Sequence, residues 1–500
     1  MNFELPPIQF PELVFGLVAP IGTDLGPTLN AMQSFLERER YDVEVIKVTD
    51  LYEKFTSLID PPIELKHTPL EDRYRSFIAF GNAVRAQTGD DGSLAMAVIE
   101  EIVRRRIAYE GESEHRYSRK AWLVSQFKRK EEIDLMRSVY GRLFFQVSVY
   151  STKSARSDNL SRKIADSHSD GDVDAYKSIA TELVRTDENE RRVEHGQRVG
   201  KVFSDADFIV NADANQPQVG EQCDRFLELI FGNNKITPTK IEYGLFAAKS
   251  AALRTSDLSR QVGAAIFSKA GEVIALGSNE VPKAGGGTYW HGDVMDAREF
   301  VEGFDSNDQR KDQLLSEILE GLELSLEELE GEKAERVLDA AFMDALEYGR
   351  VVHAEMSAIC DASRNYGRCR GSIMYVTTFP CHMCAKHIVA SGISTVYFLE
   401  PYPKSLAQRL HSDSIRIERG DRGKYDEFDA VEFIHFSGVT PRRYREMFER
   451  GRRKDKKSRA EEYVGGNKRP NIDLKSPFYV QLEDTVLNGA EQMYVVSSKA

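Results

Sequence analysis

The chain reads as a two-domain α/β protein. Its 500 residues exceed what one hydrophobic core usually serves. Short apolar runs alternate with amphipathic stretches, the pattern of strands and helices in a parallel sheet. That alternation occurs twice, on either side of the polar, proline-containing segment Asn233 to Lys240. The expected organisation is a parallel-sheet domain over 1–235, a second α/β domain over 236–440 with an insert at 283–348, and a basic segment with a C-terminal tail over 441–500.

The first domain opens with an apolar run, Leu13 to Pro20, a glycine-containing turn and an amphipathic stretch from Thr28 to Arg38, which reads as strand, loop and helix. Further strands are expected at Ala121 to Phe127, Leu143 to Tyr150 and Phe208 to Ala212, with a helix at Lys130 to Tyr140. The second domain should begin with a helix from Lys240 to Leu253 and a hairpin, Val262 to Phe267 with Glu272 to Ser278. A helix from Val352 to Asn365, a strand from Ser372 to Thr377, a helix from Cys381 to Ser391 and a strand from Thr395 to Leu399 follow, so helices should cover both sheet faces. Within the insert, Leu315, Ile318, Leu319, Leu322, Leu326 and Leu329 share one helical face, suited to packing on its own subunit or to a contact in a homo-oligomer.

A net charge of -13 argues against a constitutive nucleic-acid binder, because phosphate backbones are held mainly by Lys and Arg. Five cysteines without a regular framework fit a reducing compartment, where thiols serve as metal ligands or core residues. The N-terminal stretch lacks a basic start and an apolar segment, and no run of about 18 apolar residues is present to cross a bilayer. A soluble, cytoplasmic protein without membrane partners is expected.

The strongest chemical signal is His353-Ala354-Glu355, followed about 25 residues later by Pro380-Cys381-His382-Met383-Cys384. This H-x-E and P-C-x-x-C pattern is that of the zinc deaminases. Hydrolytic loss of an aromatic amine needs a hydroxide-like nucleophile at neutral pH, and Zn2+ with three protein ligands and one open position supplies it. His353, Cys381 and Cys384 are the expected metal ligands. Glu355 is the expected catalytic residue, moving protons between water, the ring nitrogen and the departing ammonia. A closed structural zinc knuckle would need a fourth ligand; His382 and His387 are nearby, but His382 lies between the cysteines and should point away from their shared face. Cys223, Cys360 and Cys369 read as core or surface residues.

At these motifs the chain resembles the cytidine and deoxycytidylate deaminase superfamily. Ser256 to Ala264 is similar to the segment entering the first strand in deoxycytidylate deaminases, and Gly277-Ser278-Asn279-Glu280-Val281-Pro282 to their substrate loop. The resemblance implies that Asn279 contacts sugar and base, that the backbone at Ala354 reads the pyrimidine carbonyl, and that carbonyls near Thr378 and Phe379 accept the amine. Asn279 is otherwise an ordinary turn former. Thr377 to Ala385, Ile388 to Pro403 and Lys404-Ser405-Leu406-Ala407 are closest to bacterial phage-defence deaminases, in which a P-loop kinase-like domain is fused ahead of a dCTP or dCMP deaminase domain. That narrower resemblance implies a P-loop kinase-like N-terminal sheet, a deaminase-like α/β/α sandwich, depletion of the cytosine deoxynucleotide pool, and restraint by an RNA antitoxin or other inhibitor.

A free-nucleotide deaminase must neutralise the phosphate tail, and by motif position Arg260 and Lys404 are the candidates, although either is equally an ordinary surface charge. In the first domain, Gly16 to Asp24 occupies the place of a phosphate-binding loop, with Gly22 and Thr23 as its nucleotide-binding candidates. The loop lacks the lysine of G-x-x-x-x-G-K-[ST] and carries Asp24, so it reads as degenerate. The Ser/Arg-rich stretch Thr152 to Lys163 resembles a nucleotide-kinase lid.

The basic run from Arg442 to Arg459 reads as an exposed helix or mobile arm, or as a site for an RNA inhibitor or substrate triphosphate. Competing readings of the whole chain are a tRNA or single-strand DNA deaminase, disfavoured by the acidic charge, and a nucleotide- or RNA-sensing module, disfavoured by the intact Glu355.

Overall fold

The computed structural model describes residues 7–108, 117–188, 190, 195–325, 331–338 and 340–497. The chain divides into two compact units: Met1–Thr237 with Ser437–Ala500, and Pro238–Phe436. In the first unit, β1 (Leu13–Val18), β2 (Asp42–Lys47), β3 (Lys120–Ser125), β4 (Phe144–Tyr150) and β5 (Phe208–Asn211) form a parallel sheet in the order β5-β4-β1-β3-β2. Every residue of β1 and β3 is buried, as expected of parallel strands covered on both faces. The helices Gly26–Arg38 and Gln216–Ile230 cover one face, packing Phe35, Leu36, Phe226 and Leu227 onto Phe15, Leu17 and Phe145. The edge strand β2 was not anticipated: it buries only Ile46, so its apolar signal is weak.

In the second unit, β6 (Gly263–Phe267), β7 (Val273–Ser278), β8 (Ile373–Thr378), β9 (Thr395–Glu400), β10 (Ile415–Ile417) and β11 (Val431–His435) form a sheet ordered β10-β11-β9-β8-β6-β7. The hairpin β6–β7 is antiparallel, with Gly263 opposite Ser278, and β6 joins β8 antiparallel. From β8 outward the strands are parallel, which aligns the carboxyl ends of β8 and β9. The helix Lys240–Ala252 opens with a capping box, Thr239 Oγ1 accepting from Glu242 N–H while the Glu242 carboxylate accepts from Thr239 N–H. In the insert, the helix Ser306–Gly321 buries Leu315 and Leu319 and leaves Ile318 and Leu322 exposed; Leu326 and Leu329 lie outside the described residues.

The expected separate tail over 441–500 is corrected by the structure. Gly438–Val439 forms β12, antiparallel on β5, and the rest of the C-terminal segment packs in the first unit. The reason is apolar burial that the charge-rich sequence conceals: Val439, Met447, Phe448, Leu474 and Tyr479 are all in the interior. The early part of the basic run is structural as well. Arg443 donates to Asp207 at 3.1 Å and to the Phe144 carbonyl at 2.7 Å, and Arg442 pairs with Asp205 at 2.9 Å. The lid-like stretch Thr152 to Lys163 forms the start of the helix Lys153–Ser167, with Thr152 as its N-cap and Arg156 buried against Glu188.

A buried polar hub ties the C-terminal helix Tyr479–Ser497 to the first unit. Arg106 donates to both oxygens of Glu483, at 2.7 and 2.9 Å, and to Glu12 at 3.1 Å. Tyr140 also donates to Glu483, while Trp122 and Tyr479 donate to Glu12. Arg106, Glu12 and Glu483 are each at most 2 % exposed. Removing one partner of such a pair strands the other in low dielectric. Glu483→Ala should therefore lower the unfolding free energy by about 3–5 kcal/mol in chemical denaturation; a change within ordinary surface-mutation range would show that the hub does not anchor this helix.

Candidate metal centre

The centre is assembled from two helix starts in the second unit. His353 has extended backbone (φ -62°, ψ 153°) and is the N-cap of the helix Ala354–Arg364; Cys381 has extended backbone (φ -68°, ψ 166°) and is the N-cap of the helix His382–Ala390. Glu355 falls in the first turn of the His353 helix and is 4 % exposed. Cys384, one turn into the second helix, is 1 % exposed, and its N–H donates to the Cys381 sulfur. An orphan N–H of the second helix thus meets the Cys381 sulfur, which favours its thiolate.

His353 Nδ1 lies 3.3 Å from Cys381 Sγ and 3.5 Å from Cys384 Sγ, and the three ligand atoms lie within 4.8 Å of one another. A tetrahedral zinc ion with ordinary Zn–S and Zn–N lengths separates nitrogen and sulfur by roughly 3.5 Å. The donor set and spacing therefore fit Zn2+, with three ligands and one remaining position. His382 is not in the group: its Nε2 faces Glu347 at 3.4 Å.

A hydrogen bond from the Cys384 thiol holds Cys381 down to about 4, and the same bond raises Cys384. The hydrogen bond to Cys381 raises His353 to about 9. Burial raises Glu355, reinforced by the negative charge of Cys381. A carboxyl raised in this way holds a proton more readily than an exposed one.

Glycines let these helices sit close to the sheet. A Cβ on Gly277 of β7 would lie 2.1 Å from the Ala354 carbonyl oxygen and 2.4 Å from Ala358 N, both in the His353 helix. A Cβ on Gly263 would lie 1.9 Å from the Ala248 carbonyl oxygen. Neither glycine stands out in the sequence as functional, because its role is a close approach of distant backbone.

The remaining candidates divide. Ala354 is the first helical residue and fully buried; Thr378 ends β8, 6 % exposed, with Oγ1 3.5 Å from Glu400. Asn279 follows β7, and its amide is engaged by the 260–262 segment: Oδ1 accepts from Val262 N–H and Nδ2 donates to the Arg260 carbonyl, both at 2.8 Å. Arg260 lies over the Tyr402 ring and 3.7 Å from Glu400. Lys404 pairs with Asp344 of the insert, both groups partly exposed. Sequence reasoning missed Glu280 and Tyr402. Glu280, 1 % exposed, accepts from Ser256 N–H at 3.1 Å and Val281 N–H at 3.0 Å, anchoring the segment that carries Asn279. Tyr402 sits close enough to the centre that, after burial, the Cys381 charge raises its hydroxyl pKa, and Ser405 ties its loop to the Pro380 carbonyl. A lone carboxylate or aromatic in a turn carries no sequence signal of such a role.

In the first unit, Gly22 has φ +87° and Asn159 donates to its carbonyl at 2.6 Å. Thr23 Oγ1 has no hydrogen-bond partner among the described residues. Asp24, expected to oppose phosphate within this loop, instead accepts from Gly26 N–H on the exposed side. The loop's anion is Asp187, 1 % exposed, which accepts from Ile21 N–H and from Lys128 Nζ, both at 2.7 Å.

Substituting Gly277 with alanine should force the His353 helix off the sheet. Overpacking of this kind costs about 1–3 kcal/mol, and Gly277→Ala should lower both the denaturation midpoint and the zinc bound per chain in metal analysis. Full zinc content with unchanged stability would show that the helix has room to shift.

Residues 238–400 match the family model described as the cytidine and deoxycytidylate deaminase zinc-binding region. The chain is 45% identical over 53 residues to ComE operon protein 2 of Bacillus subtilis (strain 168), covering 11% of this chain and 28% of that protein. It is 46% identical over 54 residues to the deoxycytidylate deaminase of Enterobacteria phage T2, covering 11% and 29%. With the deoxycytidylate deaminase of Mus musculus it shares 28% identity over 158 residues, 32% of this chain and 63% of that one. The matches thus span less than two thirds of these relatives' length. Among solved structures, the dCMP deaminase of cyanophage S-TIM5 in apo form aligns at 16% identity and a TM-score of 0.22, covering 40% of this chain and all of that one. The match falls within the second unit, whose residues 238–400 are similar to the cytidine and deoxycytidylate deaminase zinc-binding region.

Proposed function

We propose that the chain is a zinc-dependent hydrolytic deaminase of free deoxycytidine nucleotides, converting dCTP or dCMP to dUTP or dUMP with release of ammonia. The observation that carries this reading is a buried carboxylate, Glu355, placed beside a His/Cys/Cys metal group with a position to spare. Relatives named deoxycytidylate deaminase support the nucleotide class, and the net charge of -13 disfavours a polymeric nucleic-acid substrate.

Zinc held by His353, Cys381 and Cys384 supplies Lewis acidity that makes water a nucleophile at neutral pH. The protein groups do the rest. Glu355 takes a proton from water and delivers it to the ring nitrogen next to the attacked carbon. It then carries the second proton to the amine, which leaves as ammonia. Its raised pKa suits both directions of transfer. Asn279, with one amide hydrogen and one lone pair beyond its two loop bonds, orients sugar and base; the Ala354 backbone and Thr378 frame the pyrimidine. Arg260 and Lys404 are the cations for the phosphate tail, each now held by a carboxylate that a phosphate would replace.

The first unit serves as a P-loop kinase-like scaffold or sensor without phosphoryl transfer. Its strand-loop-helix opening has the right place in a parallel sheet, but the cation is missing from the loop and Asp187 holds Ile21 N–H. Depletion of cytosine deoxynucleotides would then be the chain's contribution to phage defence, in keeping with the fused deaminases it resembles.

An ammonia-release panel of dCTP, dCMP, CTP, deoxycytidine and a single-stranded oligonucleotide tests the substrate class; turnover of the oligonucleotide alone would overturn it. Glu355→Ala should keep zinc and lose deamination by at least about a hundredfold, the usual scale of general acid-base catalysis. Loss of zinc together with activity would make Glu355 structural instead. Lys404→Ala should raise KM for the nucleotides and leave deoxycytidine turnover unchanged, whereas an equal loss on both would place Lys404 in the fold.

A further inference from the structure

The later half of the basic run plays no part in the proposed chemistry, and its surroundings indicate a ligand. A cavity of about 630 Å³ in the first unit is lined by Arg450, Arg452, Lys456, Lys457, Arg459 and Asn234, with Glu449, Asp455 and Glu461 at its walls. That volume lies in the range of small-molecule sites. None of the five cations forms an ion pair among the described residues, unlike Arg442, Arg443 and Arg445 earlier in the run. Two of the three carboxylates are already engaged: Glu449 with Arg445, and Asp455 with the N–H groups of Lys457 and Arg459. Arg450 and Arg452 donate only to backbone carbonyls, so in a chain of net charge -13 the positive charge gathered around this concavity is not neutralised by a carboxylate partner among the described residues.

The second observation is Asn234. It is 3 % exposed, its backbone N–H is held by the Glu462 carbonyl, and among the described residues neither its side-chain oxygen nor its side-chain nitrogen has a hydrogen-bond partner. Leaving both ends of a buried amide unmade costs on the order of 1–3 kcal/mol per group in ordinary interiors, so such residues call for an explanation. A carboxamide presents a donor and an acceptor side by side, the complement of a nucleobase edge. The five cations suit a chain of phosphates. We propose that this cavity binds a nucleoside polyphosphate, with Asn234 on the base and the Arg452, Lys456 and Arg459 side chains on the phosphates. The site is distinct from the metal centre and does not rest on the deaminase reading.

Titration calorimetry on the full chain, with ATP and with inorganic triphosphate as probes, tests it. ATP is expected to bind more tightly than inorganic triphosphate, with affinity falling as salt rises. The combined change Arg452→Gln, Lys456→Gln and Arg459→Gln removes three exposed charges and should weaken both probes roughly tenfold or more. Asn234→Ala should bring ATP down to the level of inorganic triphosphate and leave the latter unchanged. Should Asn234→Ala fail to fold, Lys457→Gln together with Arg459→Gln, both exposed, keeps the phosphate side testable. Absence of ATP binding at millimolar concentration, binding that survives the triple change and is lost instead on substitution of Gly22, or binding of single-stranded RNA without ATP would each overturn the proposal.

Discussion

The second unit depends on one constraint: two helix N-termini must approach closely enough for an imidazole nitrogen and two sulfurs to stand within a single ion's reach. The 4.8 Å limit on those three atoms leaves little room for error. It is met because β8 leads directly into Cys381 and because the His353 helix rests against β7 with no side chain between them at Gly277. Extended N-cap backbone at both His353 and Cys381 turns their side chains toward the shared point, while the next turn contributes Cys384 and Glu355. The same compression buries Glu355 and raises its pKa, so metal geometry and proton chemistry follow from one packing decision.

Around this centre, carboxylates act as organisers. Glu280 holds the start of the 256–262 segment, Asn279 holds its end, and Glu400 faces both Thr378 and Arg260. The loop bearing Tyr402 is fastened to Pro380 by Ser405, next to the first cysteine. The surroundings of the metal group are thereby framed by groups whose own hydrogen bonds leave capacity in reserve.

The first unit shows the same chemistry turned inward. Where an anion would meet the β1 loop, an internal carboxylate, Asp187, meets it, and Lys128 neutralises that carboxylate and also donates to the Ala19 carbonyl. The Ile21 amide after β1 is thus satisfied by the chain itself, and fold alone is weak evidence for reaction. The basic run divides along similar lines. Its first arginines are consumed by Asp205, Asp207 and a backbone carbonyl, and its later ones line a cavity without an ion pair among the described residues.

The sequence by itself picked out the His353, Cys381 and Cys384 group, the Glu355 carboxylate beside it and most strands and helices, because these rest on local spacing. Cys381 and Cys384 are three residues apart and one helical turn joins them; His353 and Glu355 share a helix start. Strands buried on both faces, such as β1 and β3, announce themselves as unbroken apolar runs, whereas the half-exposed β2 and the short β10 do not. Only the tertiary structure decided the rest. The folding of Ser437–Ala500 into the first unit, the Arg106–Glu483 pairing across more than three hundred residues, the occupation of the β1 loop by Asp187 and the glycine contacts at Gly263 and Gly277 all join residues far apart in the chain. Charge and composition read along a segment cannot reveal which partner a distant backbone will bring to it, and burial, not sequence spacing, set those pairings.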